Sequence, residues 1–232
     1  MTTTSITLEE TPRIRTLLAL ADDALILGHR LSEWTGHAPT LEEELALANI
    51  ALDLIGQARA LYQATGLDED QLAYRRDPHQ FRNTLIAELP NGDFAFTIAR
   101  LFLVSAASDQ YWRQAVQSDD PDIAAIAAKA EKETAYHVRH AADWLIRLGD
   151  GTTESHRRAQ TALDAIWPYT GELADRPSWL KTVAPILARA TLTRPADGWM
   201  QSRGRDGRHT EHLGHLLAEM QILPRTYPGA SW

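Results

Sequence analysis

The sequence contains no cysteine among its 232 residues. That absence excludes disulfide bonds, thiolate metal sites and thiol-based catalysis together, and it fits a reducing compartment. Long apolar runs are also missing, because charged residues interrupt every apolar stretch before it could span a bilayer. The segment Met1 to Thr7 has neither the basic nor the apolar stretch of a secretory signal. We therefore expect a cytoplasmic protein.

Positive charge is in short supply. Lys and Arg total 23 against 31 Asp and Glu, which gives a net charge of -8. An acidic surface argues against general nucleic-acid binding and against binding to an anionic membrane. Apolar residues make up 44% of the chain and charged residues 23%, which excludes a disordered chain. We expect a single folded domain over residues 1–232.

The alternating pattern of β-strands is absent, and apolar residues recur at helical spacing instead, so the predicted fold class is all-α. Thr11 followed by Pro12 is typical of a helix start, and Thr40 with Glu43 predicts a capping box at the second helix. Four helices of about 36–43 Å have the dimensions of a long-helix bundle. The helices expected in the bundle are 12–34, 41–65, 94–118 and 121–149, and the shorter ones outside it lie near 80–89, 153–166, 178–192 and 209–222.

The second predicted helix is apolar on nearly all sides, so we expect it to be buried. Three of its few polar residues, Asn49, Asp53 and Gln57, are spaced four residues apart and lie on one stripe. A buried Asp is costly unless it is paired or bound to something. An internal hydrogen-bond network is the commoner explanation of such a stripe, and a metal or ligand site inside the bundle is the alternative.

The fourth predicted helix carries a matching stripe of Glu133, His137 and His140. In ferritin-type bundles such stripes hold a di-iron site, with one Glu from each of two helices and a Glu-x-x-His from each of the other two. No His in this sequence has a Glu three residues before it, and the helix predicted at 94–118 has Asp109 as its only acid. A carboxylate-bridged di-iron centre lacks most of its ligands, so we expect no metal in this chain.

A basic loop and a histidine cluster lie near the C-terminal end. His209, His212 and His215 could bind zinc, although their spacing does not converge all three rings well. The arginines before them could contact a phosphate, such as that of coenzyme A, or an acidic partner, whereas a solvated loop is the commoner explanation. The candidate contact residues are Arg203, Arg205, Arg208, His209, Glu211 and His212.

Several longer segments together resemble one known family. They are LSEWTGHAPTLEEELALANIALDLIGQAR at 31–59, PNGDFAFTIARLF at 90–102, KETAYHVRH at 132–140 and HTEHLGHLLAEMQ at 209–221. In this order they are similar to the PaaC family, the C subunits of phenylacetyl-CoA epoxidases. The resemblance runs from residue 17 to Trp232 and is weakest around 155–195.

The resemblance implies a ferritin-like helical bundle and a non-catalytic, structural subunit that supports the di-iron catalytic subunit PaaA. The complex of that family epoxidises the aromatic ring of phenylacetyl-CoA and takes electrons from NADPH through a separate reductase subunit. This chain is then expected to hold no cofactor of its own. When alone, it is expected to form a homodimer through its long helices.

The departures from the catalytic pattern agree with that role. The two Glu-x-x-His motifs of the catalytic relatives align by eye with 54–57 and 134–137, where Leu54 and Thr134 replace Glu and Gln57 replaces one His. We predict one polar network in place of the metals, formed by Asn49, Asp53, Gln57, Glu133 and His137. The alternatives are a stand-alone di-iron oxidase or iron-storage protein, and a small-molecule-binding bundle.

Overall fold

The computed structural model describes residues 5–173 and 175–230, and the regular structure of these residues is entirely helical. Within them, no helix is both long enough and apolar enough to cross a membrane. Three short 3-10 turns lie at Pro78–Gln80, Trp167–Glu172 and Gly204–Asp206. The α-helices are α1 (Pro12–Ser32), α2 (Leu41–Ala64), α3 (Glu69–Tyr74), α4 (Leu85–Glu88), α5 (Phe94–Ala115), α6 (Pro121–Gly149), α7 (Thr153–Ile166), α8 (Arg176–Arg189) and α9 (Glu211–Thr226).

Helices α1, α2, α5 and α6 form a four-helix bundle. α1 packs along α2 and α5 packs along α6, and the two pairs meet where α2 contacts α6. Short connections make the members of each pair antiparallel neighbours, whereas residues 65–93 form one long crossover between the pairs. One long crossover is the connectivity of ferritin-like bundles, as the sequence predicts. α7 and α8 pack on the α5–α6 pair from outside.

Most of the predicted helix starts are confirmed by their caps. The Thr11 side chain accepts a hydrogen bond from the Ile14 amide at 3.2 Å, and Asp93 accepts one from Phe96 at 2.9 Å. The capping box predicted for α2 is wrong, because the Thr40 side chain makes no cap bond. The reason lies in Glu43, whose carboxylate turns inward towards α6 instead of back to the helix start.

Several helix boundaries differ from the predictions. The segment near 80–89 forms only the single turn of α4, since the chain before it runs through the 3-10 turn at Pro78–Gln80. α8 begins at Arg176, two residues earlier than predicted, because Asp175 caps it by accepting from the Ser178 amide at 3.1 Å. α9 continues to Thr226, with Pro224 in its last turn.

α2 is not buried on all sides, so that prediction is wrong. Leu41, Leu45 and Leu52 are 68%, 57% and 66% exposed, and Asn49 is also exposed. The helix packs against α1 on one side and α6 on another, and these neighbours cover only part of its circumference. The remaining side faces outward and is apolar except for Asn49. This outer α2 face consists of Leu41, Leu45, Asn49 and Leu52.

A fully buried polar network fixes the crossover to the bundle. The Asp22 carboxylate on α1 accepts hydrogen bonds from the Arg76 guanidinium, from the Tyr62 hydroxyl at 2.5 Å and from the Arg82 amide at 2.7 Å. Arg76 also donates to the Tyr62 hydroxyl at 2.9 Å. The side chains of Asp22 and Arg76 are both 0% exposed. Their mutual pairing offsets part of the cost of burying two charges.

Candidate functional site

The predicted polar site forms as two side-chain pairs between α2 and α6. The Asp53 Oδ2 atom lies 3.0 Å from His137 Nε2, and Gln57 Nε2 donates to Glu133 Oε2 at 2.9 Å. Glu133 also pairs with Lys129 on the outer surface of α6, at 3.2 Å. No hydrogen bond among the described residues joins one pair to the other. The structure therefore brings four of the five predicted residues together, as two pairs instead of one network.

Asn49, the fifth predicted residue, does not belong to this site. It lies on the outer α2 face, because the rotation of the helix over four residues carries it away from the α6 contact. The next polar contact along α2 is made by Glu43, whose Oε2 lies 3.2 Å from His140 Nε2, with both side chains largely buried. Its position three residues after Thr40 predicts a cap instead. Its spacing of fourteen residues from Gln57, close to four helical turns, could have indicated the shared face.

His137 is the most deeply buried member of the site, with a side chain only 1% exposed, whereas Asp53 is 35% exposed. Burial lowers the pKa of His137 below its ordinary value, and the neighbouring Asp53 opposes that shift without cancelling it. The ring is therefore neutral at pH 7. Because the Asp53 carboxylate accepts, the Nε2 atom carries the proton and Nδ1 presents a lone pair.

The residues present do not fit a di-iron centre. Over residues 5–173 and 175–230, no three His, Asp or Glu side chains converge in a way that could hold a metal ion. Leu54 and Thr134 stand at the two aligned Glu positions, and both line a cavity. The Gln57 amide is engaged with Glu133. That the purified chain holds no iron stays a prediction.

A cavity of about 510 Å³ lies between the bundle helices beside this site and opens to solvent near the exposed residues Pro12, Arg15 and Thr16. It extends along α1 from Pro12 to Leu27, about 22 Å at 1.5 Å per residue. Its wall is more apolar than polar. It is formed by α1, α2, α5 and α6, together with Glu172, Leu173 and Arg205 from outside the four bundle helices. Gln57, Thr134 and His137 all line it. No motif in the sequence predicts this cavity, and the small residues Ala24 and Ala107 on buried helix faces are its one local signal.

The basic loop before α9 is docked on the protein, which corrects the expectation for two of its candidate residues. Arg205 donates to the Ala19 and Arg82 carbonyls at 2.6 and 2.7 Å and to Asp23 at 2.5 Å. Buried His209 has one ring nitrogen on Glu88, at 2.8 Å, and the other on the Phe81 carbonyl, at 3.0 Å. Their polar groups are occupied internally and are not available to a phosphate or an external metal.

The other four candidate residues of this region lie nearer the surface. Arg203, Arg208 and Glu211 are exposed, and His212 is half-buried. A contact between these four and a partner or coenzyme A stays a prediction.

Comparison with known proteins identifies the family of this chain. A family model described as "Phenylacetic acid catabolic protein" matches residues 1–178 and 174–232. The chain belongs to the phenylacetic acid catabolic protein family. Within it, the chain is 44% identical over 240 residues to the C subunit of the 1,2-phenylacetyl-CoA epoxidase of Escherichia coli (strain K12). That alignment covers 93% of this chain and 97% of the relative.

Membership of the phenylacetic acid catabolic protein family agrees with the all-helical, ferritin-like architecture described above. The resemblance to the epoxidase C subunits predicted from the motifs at 31–59, 90–102, 132–140 and 209–221 is therefore confirmed. Three of these motifs form structure around the site or the docked loop. The segment 31–59 supplies Asp53 and Gln57, 132–140 supplies Glu133 and His137, and 209–221 begins with His209.

Proposed function

We propose that this chain is the structural, non-catalytic subunit of a phenylacetyl-CoA epoxidase in aerobic phenylacetate degradation, where it supports the di-iron catalytic subunit PaaA. The proposal is supported by the similarity to an epoxidase C subunit over nearly the whole of both chains. It is supported further by the residues at the aligned ligand positions, Leu54, Gln57 and Thr134. A leucine and a threonine cannot replace bridging carboxylates as iron ligands.

The observation that carries the non-catalytic role is the pairing of the polar residues with each other. Gln57 donates to Glu133, and His137 is turned to Asp53 through the nitrogen that carries its proton. These pairs connect α2 to α6 in the middle of the bundle, so they contribute to its internal stability. In the proposed complex, iron belongs to the catalytic subunit and NADPH to the reductase subunit.

The outer α2 face is the surface that we assign to the partner. Three exposed leucines on one side of a bundle helix form an apolar strip, and contiguous exposed apolar surface marks interaction sites. Obligate subunit interfaces are large and apolar. In the complex, this face is covered by PaaA. In its absence a second copy of this chain covers it, which gives the expected homodimer.

Reconstitution tests the function. The catalytic subunit, the reductase subunit, NADPH and phenylacetyl-CoA are combined with and without this chain, and epoxide formation is measured. We expect turnover when PaaA and this chain are both present, and little turnover with either one alone. Turnover by this chain and reductase without PaaA would overturn the non-catalytic role. Full activity of PaaA without this chain would overturn the structural role.

A stand-alone di-iron oxidase is the competing function, and elemental analysis separates it from the proposal. We expect the purified chain to contain far less than one iron per molecule after chelator treatment. One or two irons per chain that resist the chelator would favour the oxidase.

A further inference from the structure

The bundle cavity contains polar atoms that the protein itself does not satisfy. The side chains of Gln57, Ser105, Thr134 and His137 all line it, and each residue is at most 6% exposed. Among the described residues, no hydrogen-bond partner is found for Gln57 Oε1, His137 Nδ1 or the two hydroxyls. None of these four atoms is sealed off from solvent, so each can take a hydrogen-bond partner from inside the cavity. That partner is water or a ligand.

The shape and lining of the cavity favour a ligand with an apolar body. Its volume of about 510 Å³ lies within the roughly 300–1,000 Å³ typical of small-molecule sites. Leu27, Leu54, Val104 and Trp112 contribute apolar wall beside the polar atoms. This combination, apolar walls with a few convergent polar groups, is the usual construction of a small-molecule site.

The charges around the cavity favour an uncharged ligand. Arg205, on the wall, is neutralised by Asp23, and Arg15 donates to Asp206 at 3.0 Å. His137 faces the cavity as a neutral ring beside the paired Asp53 carboxylate. Glu172 accepts from the amides of Leu85, Arg203 and Arg205. Arg205 and Arg15 are thus both paired within the protein, so neither is free to bind an anionic group. A carboxylate ligand would therefore lose its hydration without gaining a counterion.

The unsatisfied atoms define the polar group that the ligand carries. Gln57 Oε1 can only accept, and Nδ1 of the neutral His137 ring also accepts, so a ligand bonded to either of these atoms must donate. The Ser105 and Thr134 hydroxyls can donate or accept and do not restrict the ligand further. We propose that this cavity is a binding site for a small uncharged alcohol with an apolar body, for which phenol serves as the probe. Its hydroxyl donates to Gln57 Oε1 or His137 Nδ1, and its apolar body lies among the apolar residues. The proposal does not depend on the partner subunit or on the proposed function.

Calorimetric titration of the full-length chain with phenol, anisole and benzoate tests the site. Phenol supplies a ring and a donor, anisole has the ring and oxygen without the donor, and benzoate adds a charge. We expect saturable phenol binding, binding of anisole about tenfold weaker for the loss of one hydrogen bond, and no binding of benzoate. A cavity that holds only water would give no saturable phenol binding at concentrations up to about 10 mM, and this outcome overturns the proposal.

A cavity-filling variant and a control outside the cavity locate the binding. Ala107→Phe fills the cavity and is expected to abolish phenol binding, whereas Ala128→Phe, at an exposed position on α6, is expected to leave it unchanged. Ala24→Leu is the second cavity-filling variant if Ala107→Phe does not fold. Unaltered phenol affinity in a folded cavity-filling variant would place the binding elsewhere and overturn the proposal.

Gln57→Leu removes one of the two acceptors at nearly constant volume, and Gln63→Leu is its matched control on the exposed side of α2. We expect the tenfold preference for phenol over anisole to fall at least threefold in Gln57→Leu and to persist in Gln63→Leu. If Gln57→Leu keeps the full preference, the same titration is repeated with His137→Phe. A preference that survives in both variants overturns the assignment of the donor contact.

Discussion

Asp22 is a charged residue in the most buried part of α1, where it meets three donors from the crossover and α2. Burial raises the pKa of the Tyr62 phenol well above its ordinary value, and the Asp22 charge adds to that effect, so Tyr62 stays protonated and donates. Arg76 is stacked 4.1 Å from the centre of the Phe81 ring. The buried guanidinium thus has an aromatic face and a carboxylate to balance its charge.

Removing the Asp22 carboxylate leaves this buried guanidinium without its counterion. We expect Asp22→Ala to lower the free energy of unfolding by about 3–5 kcal/mol, the usual cost of breaking a buried ion pair from one side. Asp143→Ala, at an exposed position on α6, is the control and should change stability by less than about 0.5 kcal/mol. Urea denaturation measures both, and equal midpoints would show that the crossover does not depend on Asp22.

His137 gives the fold a pH dependence whose direction follows from its burial. Burial lowers its pKa in the folded chain below the ordinary value of 6.5, so the unfolded chain takes up the proton first as the pH falls. Both forms are neutral at pH 7.5, and stability is lost from about pH 6.5 downward until the folded pKa is reached. We expect His137→Gln, which cannot titrate and can still donate to Asp53, to lose less stability than the natural chain between pH 7.5 and 5.5.

Denaturation of both proteins at pH 7.5, 6.5 and 5.5 measures this difference. Titration of the carboxylates lowers the stability of both in the same way, so only the gap between the two curves reports on His137. The effect of one proton is bounded at about 1.4 kcal/mol per pH unit. Parallel curves would mean that His137 titrates alike in the folded and unfolded chains.

At the level of residues, sequence spacing predicted some partners and not others. Asp53 and Gln57 could be matched to α6 because a periodic polar stripe on an apolar helix must find polar partners. Asn49 follows the same spacing but lies outside, because the position of the neighbouring helices decides which part of a stripe is covered. The Asp22–Arg76 pair was missed since 54 residues separate its members, and no local pattern records a contact across the crossover.

At the scale of elements, the sequence predicts which helices form, their order and most of their caps. Pro12 and Pro121 occupy first-turn positions, after capping Thr11 and Asp120, where the local chemistry alone is decisive. Glu43 shows where this logic fails. Its sequence neighbours fit a capping box, but the Glu43 carboxylate lies beside His140 on α6 instead of at the start of α2.

The docked loop before α9 depends on two close backbone approaches that only glycine allows. A Cβ atom on Gly204 would lie 2.3 Å from the Asn83 carbonyl oxygen, and one on Gly207 would lie 2.2 Å from the His79 carbonyl oxygen. Gly207 also has a φ of 75°, in the left-handed region. These contacts place Arg205 against α1. They explain why a loop that is rich in Gly and Arg is ordered in place instead of solvated.

Gly204→Ala is expected to separate this loop from the crossover and to lower the free energy of unfolding by about 1–3 kcal/mol, as overpacking does. Gly198→Ala is the matched control, because nothing lies within 4 Å of its added Cβ. Trypsin adds a local readout, since cleavage after Arg203 or Arg208 should become faster in Gly204→Ala alone. Equal stability and equal cleavage in the two variants would contradict the close-approach explanation.

At the scale of the whole molecule, the bundle uses its interior and one outer side differently from what its sequence predicts. At the interior positions aligned with the metal ligands of catalytic ferritin-like proteins, Gln57 and His137 pair with Glu133 and Asp53, and Leu54 and Thr134 line a cavity. Leu41, Leu45 and Leu52, which composition assigns to the core, lie on the outer α2 face. Apolar residues that serve an interface and apolar residues that serve a core have the same sequence pattern, so periodicity alone could not separate them.

Assembly with the proposed partner subunit is predicted to depend on the outer α2 face. We expect the double variant Leu45→Asp, Leu52→Asp to keep the helical circular dichroism and thermal stability of the natural chain, because both side chains are already exposed. The same variant should lose co-purification with PaaA, since two charges would be buried without partners in an apolar interface. Ile222→Asp with Leu223→Asp is the matched control, because these exposed residues lie on α9, which packs on the crossover helices α3 and α4. If the α2 variant co-purifies as well as the natural chain while the α9 variant does not, the partner binds the C-terminal helix. If neither variant weakens co-purification, the interface lies on another side of the bundle, and the exposed leucines of α2 have a different role.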